Sequence, residues 1–573
     1  MLTSIIKKKD TILLLALSIL IFHLIFGFHL IDFQNIYWLP DDAYNGFLGW
    51  SFYRGETFFS FPLFKIFNYG SGVGSTIIYT DSLPIMAIIF KPFSAFLPFE
   101  FQYFGIWILI CFILQGQFSL ILLRRIPNNE LLSFMGACFF VLSPPFLWRL
   151  WGHYSLMAHW LIIFGIIIFY SSNFRFRNWA ILLILTALVN AYILAIILSL
   201  FILDLIYRTY SNSFKAKESW TIFLKALALL IFSLYVFGYF SNGMSIGSGG
   251  YSLYRANLNT FFNDNKLWSN IMPDLGSIPN DYEGFAFLGI GIIFLLIFVI
   301  FEIFKNKFLF KTLFKKRNVF IILLSMILFL FAVTNKVTFG STVLFEFDLP
   351  ELFKALTRPL RSSGRMVWLI FYLLYCGIFF VISRSKYLKI YYFILPILLV
   401  IQILDSSVIA ANFRSKISDT RTYNLKPYID SKDPANIAIV KTLNSFWESP
   451  LVSPEWQVLK QNYKTIVYVY PKNRPSGAYP LVLFAAKNKL STNFGYFSRY
   501  KGSKKEEIYS KIDKVLDTNS FDKDSIYIFD ESLEQKWIST LGQCLTSDLC
   551  KTIDGYRVFA KISILSNLLI LAL

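Results

Sequence analysis

Long uncharged apolar runs separated by short polar segments recur from Thr11 to about Asp405. A run of about 20 apolar residues is long enough to cross the hydrocarbon core as a helix. The pattern therefore predicts a polytopic α-helical membrane protein. Its spans fall near 11–31, 101–123, 131–147, 155–170, 178–190, 191–207, 220–239, 285–304, 318–333, 366–383 and 388–405, about eleven by hydropathy. The run 178–190 is short for a full crossing and predicts a cavity above it. The segment 82–97 carries Pro84, Lys91 and Pro92, with Pro98 just beyond, and reads as a re-entrant or interfacial helix.

After Ser406 the pattern changes. Charged residues become frequent and apolar runs shorten. Ile437–Val440, Ile466–Tyr470, Leu481–Phe484 and Ile526–Phe529 are rich in β-formers and read as strands, while Lys504–Leu516 reads as a helix. The chain thus divides into a transmembrane domain over 1–405, with a large first outer loop at 32–100, and a soluble α/β domain over 406–573. The last run, Ile562–Leu573, is too short for a span and reads as a buried strand or a membrane-surface tail.

Charge fixes the expected orientation. The net charge of +19 would suggest nucleic acid in a soluble protein, but this chain is 56% hydrophobic. Its basic residues crowd into short loops such as Lys7-Lys8-Lys9, Arg124-Arg125 and Lys315-Lys316-Arg317. The alternate loops, far longer, are poor in them. Cytoplasmic loops carry such an excess, so the N-terminus is expected in the cytoplasm. An odd number of spans then places the C-terminal domain on the opposite, extracytoplasmic side. The first run is longer than a signal-peptide core and has no small-residue cleavage site after it, so it counts as a span. Cys111, Cys138 and Cys376 lie in spans as small apolar filler, whereas Cys544 and Cys550 can pair if their domain is exported. No second Cys/His pair accompanies them to suggest zinc.

The candidate chemistry gathers on the outer side. Asp41-Asp42 follows the first span directly. A carboxylate there can act as a general base or ligate a divalent metal, or it is simply a solvated interfacial acid. Asn68-Tyr69-Gly70-Ser71-Gly72-Val73-Gly74 lacks the strand and lysine of a phosphate loop and reads as a turn. Asp81 is either the N-cap of the next helix or a second carboxylate. Arg149, His153 and His159 flank the following outer loop, where a histidine can shuttle protons, ligate metal or only hydrogen-bond. Asn190 and Tyr192 stand at a tight outer turn, as substrate ligands or caps. Gly247-Ser248-Gly249-Gly250 is a hinge-like run. Asp281, Tyr282 and Glu283 precede a span, where acids also favour a helix N-terminus. Arg358, Arg361 and Arg365 break the orientation rule. If helical they share one face, suited to a lipid headgroup or a phosphate substrate.

Taken together, Asp41-Asp42-Ala43-Tyr44, Tyr79-Thr80-Asp81-Ser82-Leu83-Pro84, Phe101-Gln102-Tyr103-Phe104-Gly105-Ile106-Trp107, Tyr282-Glu283-Gly284-Phe285, Arg361-Ser362-Ser363-Gly364-Arg365 and Asn493-Phe494-Gly495-Tyr496 carry a resemblance. The chain resembles an uncharacterised family of bacterial multi-span inner-membrane proteins that is similar to the GT-C glycosyltransferases. Asn190-Ala191-Tyr192 departs from the His-Pro-Tyr expected at that turn. The resemblance implies a GT-C-like fold and transfer of a sugar from a polyprenyl-phosphate donor to a glycan or glycolipid acceptor on the outer face, for the cell envelope. It implies Asp41 or Asp42 as base or metal ligand, and Arg361 and Arg365 as holders of the lipid phosphate. Asp81, His153, Tyr282, Glu283 and Arg358 complete the expected substrate-binding set, with a divalent metal ion, Mg or Mn, between Asp41 and Asp81. A lipid-linked glycan flippase and a non-catalytic scaffold in envelope polymer assembly are the competing readings. A flippase would place its ionisable residues at mid-membrane.

Overall fold

The hydropathy pattern condenses into helices. The computed structural model describes residues 2–561 other than 40, 73, 127–128, 242–250, 267, 418–450, 472–476, 496–501 and 546–547. Among the described residues, eight helices are long and apolar enough to cross a membrane, by length and composition: Lys9–Phe26, Phe104–Arg125, Glu130–Trp151, Ala191–Tyr210, Ala216–Phe237, Lys316–Val333, Ser363–Ser383 and Leu388–Asp405. The other three expected spans are shorter helices, Trp160–Phe169, Phe176–Val189 and Ile290–Lys305, of 10, 14 and 16 residues. A helix of 16 residues covers only about 24 Å at 1.5 Å per residue, less than the hydrocarbon thickness.

Two compact units emerge. One comprises Met1–Asp32, Tyr103–Ser233 and Gly247–Ile417; the other comprises Phe33–Gln102, Leu234–Ile246 and Ser418–Leu573. The units thus cut across a simple division at 405. The segment Phe33–Gln102, expected as the first outer loop, folds with the C-terminal sheet rather than with the helices that flank it in sequence.

Within the helical unit, short helices need their ends satisfied, because the last carbonyls of a helix have no partner of their own. The Trp160–Phe169 helix ends at Phe169, Tyr170 and Ser171, whose carbonyls accept bonds from Arg317. Arg208 donates to the carbonyls of Ser171 and Ser172. Asp204, fully buried, balances this pair: its carboxylate accepts from Arg208 at 2.9 Å and from the Trp179 indole at 3.0 Å, and Arg317 lies 3.8 Å away.

In the second unit a five-stranded sheet runs in the order Ser491–Thr492, Thr465–Tyr468, Ser525–Phe529, Tyr556–Lys561, Asp548–Ile553. The first three strands are parallel and the last two antiparallel to their neighbours. Val469, Ile512, Phe521, Tyr527, Phe529, Trp537 and Phe559 form the core of one face. Gly502–Asp517 is the helix expected over 504–516. The expected strand Leu481–Phe484 is instead part of the helix Ala478–Lys487. Its buried residues Ala478, Leu481, Val482 and Ala485 recur at helical spacing, which a four-residue window hides. Cys544 and Cys550 are disulfide-bonded. The expected strand Ile437–Val440 and the run Ile562–Leu573 lie outside the described residues.

The outer segment extends this sheet. Thr492 donates to the Asn68 carbonyl at 2.9 Å, and Ser71 donates to the Thr492 carbonyl at 2.6 Å. The glycine-rich loop 68–74 is therefore an edge pairing, and its φ-positive Gly70 and Gly72 turn the chain back. On the far side of the unit, Asp554 holds the start of the helix Glu455–Asn462. Its carboxylate accepts from Val452 N, Ser453 N, Ser453 Oγ and Trp456 Nε1 at 2.8, 2.9, 2.6 and 3.1 Å.

Two expected outcomes follow from these anchors. Asp204→Asn leaves the buried Arg208 and the half-buried Arg317 without their counter-charge and should lower stability by about 3–5 kcal/mol, read as a fall in Tm of the detergent-purified chain. Burial raises the pKa of Asp554, but the bonds from Ser453, Val452 and Trp456 outweigh it and hold the carboxyl below its ordinary value. A depressed folded pKa contributes stability above the unfolded pKa, about 3.9, and that contribution is lost as pH falls through the folded value. The hydrogen-exchange protection factors of the helix Glu455–Asn462 should therefore fall below about pH 4 in the wild type. In Asp554→Asn they should be low already at pH 7 and largely independent of pH.

Candidate functional site

The site grows from a short turn. Asn280 adopts φ 74°, and Asp281–Gly284 form a 3-10 turn rather than the start of a span, since the next helix begins at Ile290. Asp281 and Glu283 are therefore not the N-terminal acids of a helix, as their position before a span suggested. They are buried at 3% and 4% exposure. Carboxylates so placed need partners. Glu283 accepts from Arg149 Nη1 at 2.9 Å, Arg365 Nε at 2.9 Å and Arg365 Nη2 at 2.7 Å, and Arg149 Nη2 also reaches the Glu283 carbonyl at 3.2 Å. Asp281 pairs with Arg255 at 3.1 Å and accepts from Asn257 at 2.8 Å.

Backbone contact makes this possible. The Gly284 turn and the Ser363–Val367 turn press directly on each other: a Cβ on Gly364 would lie 2.7 Å from the Gly284 Cα and nitrogen. A Cβ on Gly284 would fall 2.4 Å from the Ala256 Cα. Only glycines let Arg365 descend onto Glu283.

Aromatic rings wall the cluster. The Arg365 guanidinium lies 4.4 Å over the Tyr192 ring, and Arg149 lies 5.1 Å over Trp368. The Tyr192 hydroxyl accepts from Ser362 N at 3.1 Å. Asn190 caps the helix Ala191–Tyr210 through Tyr192 N and donates to Ser155. Behind Trp368, His159 is fully buried, its ring 4.2 Å from that indole and its Nδ1 2.7 Å from the Tyr372 hydroxyl.

Electrostatically the cluster is unequal. Burial raises the pKa of Glu283, but Arg365 and Arg149, with His153 further off, more than reverse it and hold the carboxyl far below the usual range. Two guanidiniums share this one carboxylate, so the group carries net positive charge. Arg361, half-buried, adds a third cation 5.9 Å over the Tyr254 ring, with no carboxylate in ion-pair range among the described residues. Tyr254 in turn sits 6.4 Å from the exposed Tyr282. An inner set of paired charges thus supports an outer rim of Arg361, Tyr254 and Tyr282.

The model for the family described as "Domain of unknown function (DUF6311)" matches residues 15–407, more than half of the chain. The chain belongs to the DUF6311 family. The "DUF6311 C-terminal domain" matches residues 455–561 of the same DUF6311 chain. None of the curated proteins compared matches it. Among solved structures it is similar to the archaeal oligosaccharyltransferase AglB from Archaeoglobus fulgidus in complex with an inhibitory peptide and a dolichol-phosphate. That likeness has 10% identity and a TM-score of 0.42, over 93% of this chain and 71% of the other.

In this DUF6311 chain the helical unit brings together Glu283, Arg361, Arg365, Tyr282 and, through its electrostatic reach, His153. The three arginines do not form one helical face. Arg358–Leu360 and Ser363–Val367 are separate 3-10 turns, because Pro359 and Gly364 interrupt any α-helix. The Arg358 side chain lies outside the described residues. Arg365 is spent on Glu283, so phosphate contact falls to Arg361. Asp41, Asp42 and Asp81 belong to the other unit. Asp41 opens the helix Asp41–Tyr53, with its side chain outside the described residues, and Asp42 is half-buried. Asp81 does not cap the helix Pro84–Phe90, whose N-cap is Leu83 in the left-handed region. The described residues contain no group of three or more His, Cys, Asp or Glu able to hold a metal ion.

Arg255 and Tyr254 are parts of the cluster that no sequence motif marks, and Tyr192, either a ligand or a cap by sequence, lies under the Arg365 guanidinium. Arg255 carried a usable signal, being an arginine in an outer loop otherwise poor in basic residues. Glu283→Gln should strand Arg149 and Arg365 and cost about 3–5 kcal/mol. Gly364→Ala should cost about 1–3 kcal/mol by overpacking. Thermal melts of the two variants check both values, with Tyr282→Phe, on the exposed rim, expected to melt like wild type.

Proposed function

We propose that this DUF6311 protein is a GT-C-type membrane glycosyltransferase. It moves a sugar from a polyprenyl-phosphate-linked donor to a hydroxyl acceptor on the extracytoplasmic face of a bacterial inner membrane. The observation that supports this most is Arg361: beside the buried cluster of Glu283, Arg149 and Arg365 it stands half-buried at the rim, with no carboxylate in ion-pair range among the described residues. Charge left without a partner on burial is expensive. A surplus cation at a half-exposed rim suits an anionic group that arrives from outside.

In the reaction, Asp41 or Asp42 takes the proton from the acceptor hydroxyl. The oxygen attacks the anomeric carbon as the bond to the phosphate oxygen breaks, and the phosphate leaves with that electron pair. Arg361 faces the developing charge, where preorganised donors act most strongly. Arg365 and Arg149 act through position: pinned by Glu283, they set the field around Arg361 without leaving their own pairs. Tyr254 and Tyr282 offer flat rings to a sugar face.

Transfer of radiolabelled sugar from polyprenyl phosphate by the purified full-length protein tests this reading. Arg361→Gln should lower turnover about 100-fold. Of Asp41→Asn and Asp42→Asn, one should abolish turnover. Undiminished transfer in both Asp variants overturns the catalytic assignment. Movement of intact lipid-linked sugar across liposomes without transfer would favour a flippase instead.

A further inference from the structure

A second feature lies elsewhere in the helical unit. A cavity of about 440 Å³ runs between the last turns of the first helix and of the helix Leu388–Asp405, with the helix Ser407–Ile417 closing one wall. Its lining is almost wholly apolar, and Leu20, Leu24 and Ile403 leave it open to the surroundings, at 49%, 61% and 44% exposure. A cavity of this size is in the range that holds a single ligand.

The polar atoms in the lining are already engaged. Ser407 Oγ donates to the Leu404 carbonyl at 2.7 Å, and Ser406 Oγ accepts from the Trp268 indole at 3.1 Å. The lining therefore offers a ligand hydrocarbon contact and one charge, that of Arg414. This arginine is exposed, and no carboxylate lies in ion-pair range among the described residues. Phe413, in the lining, packs its ring 4.5 Å from that of Trp151.

We infer that this groove is a binding site for an anionic glycerophospholipid, with one acyl chain along the first helix and the phosphodiester at Arg414. Charge complementarity selects this occupant. A single guanidinium matches the one negative charge of a phosphodiester, whereas a doubly charged phosphate monoester or a pyrophosphate is better met by several cations. Hydrocarbon fills the rest, since the groove opens where the helices read as membrane-spanning. The lining shares no residue with the Glu283 cluster, and the inference does not depend on the glycosyltransferase reading.

Native mass spectrometry of the full-length protein tests it, after equilibration with phosphatidylglycerol, phosphatidylcholine or polyprenyl phosphate. Phosphatidylglycerol should be retained about fivefold over phosphatidylcholine, the scale of one cationic side chain beside an anionic lipid. Arg414→Gln should erase that preference while still retaining lipid. Ala410→Trp, which fills the groove, should lose the retained lipid at an unchanged Tm, and Leu24→Trp provides the same test if Ala410→Trp misfolds. Equal retention of the two phospholipids by the wild type overturns the proposal. So does full retention by the groove-filling variants, which would mark annular lipid only, or displacement of phosphatidylglycerol by polyprenyl phosphate.

Discussion

The ion cluster at Glu283 is the constraint on which one end of the helical unit depends. Placing a carboxylate at 4% exposure is affordable only because three guanidinium nitrogens reach its oxygens. Those contacts bring together Arg149 at the end of one span, the 3-10 turn of Glu283, and Arg365 at the start of another span. Distant segments are thereby registered at one point. The glycines Gly284 and Gly364 are the steric half of the same requirement, for any side chain there would push the turns apart. Tyr192 and Trp368 supply the rings under the two arginines, so charge and packing are settled together.

Two kinds of polar burial coexist in this unit. Around Asp204, arginines close the carbonyl end of a short helix, and the arrangement is turned inward. Around Glu283, the paired charges stand behind a half-exposed rim. Both obey the rule that buried polar groups find partners. Each sets two guanidiniums against one carboxylate; only the second stands beside a further, half-buried arginine, Arg361, over an aromatic ring.

The apolar runs made the helices legible, because hydropathy over 18 or more residues depends on little else. Short elements were less so. Ala478–Lys487 looked like a strand, since Leu481-Val482-Leu483-Phe484 satisfies either periodicity and its burial is set by the sheet beneath. Asp281 and Glu283 looked like helix-start acids, because their arginine partners lie more than 80 residues away along the chain in the case of Arg365. The arginines themselves stood out by sitting on the wrong side for the orientation rule. Which of them would be paired and which left open was set by three-dimensional contact alone. Asp81 seemed a cap by proximity, yet the backbone places Leu83 there.

The sheet of the second unit borrows an edge from a segment made much earlier, with Asn68 and Ser491 in contact across 423 positions. During synthesis, residues 68–71 emerge long before the strand they pair with exists. An unpaired strand edge is a template for unwanted association, and such remote pairings close slowly. The borrowed edge therefore ties the ripening of the first outer segment to completion of the chain. A ribosome stalled before residue 491 would leave that segment without its mate, so truncated products of this protein should be poor folders however complete their membrane helices are.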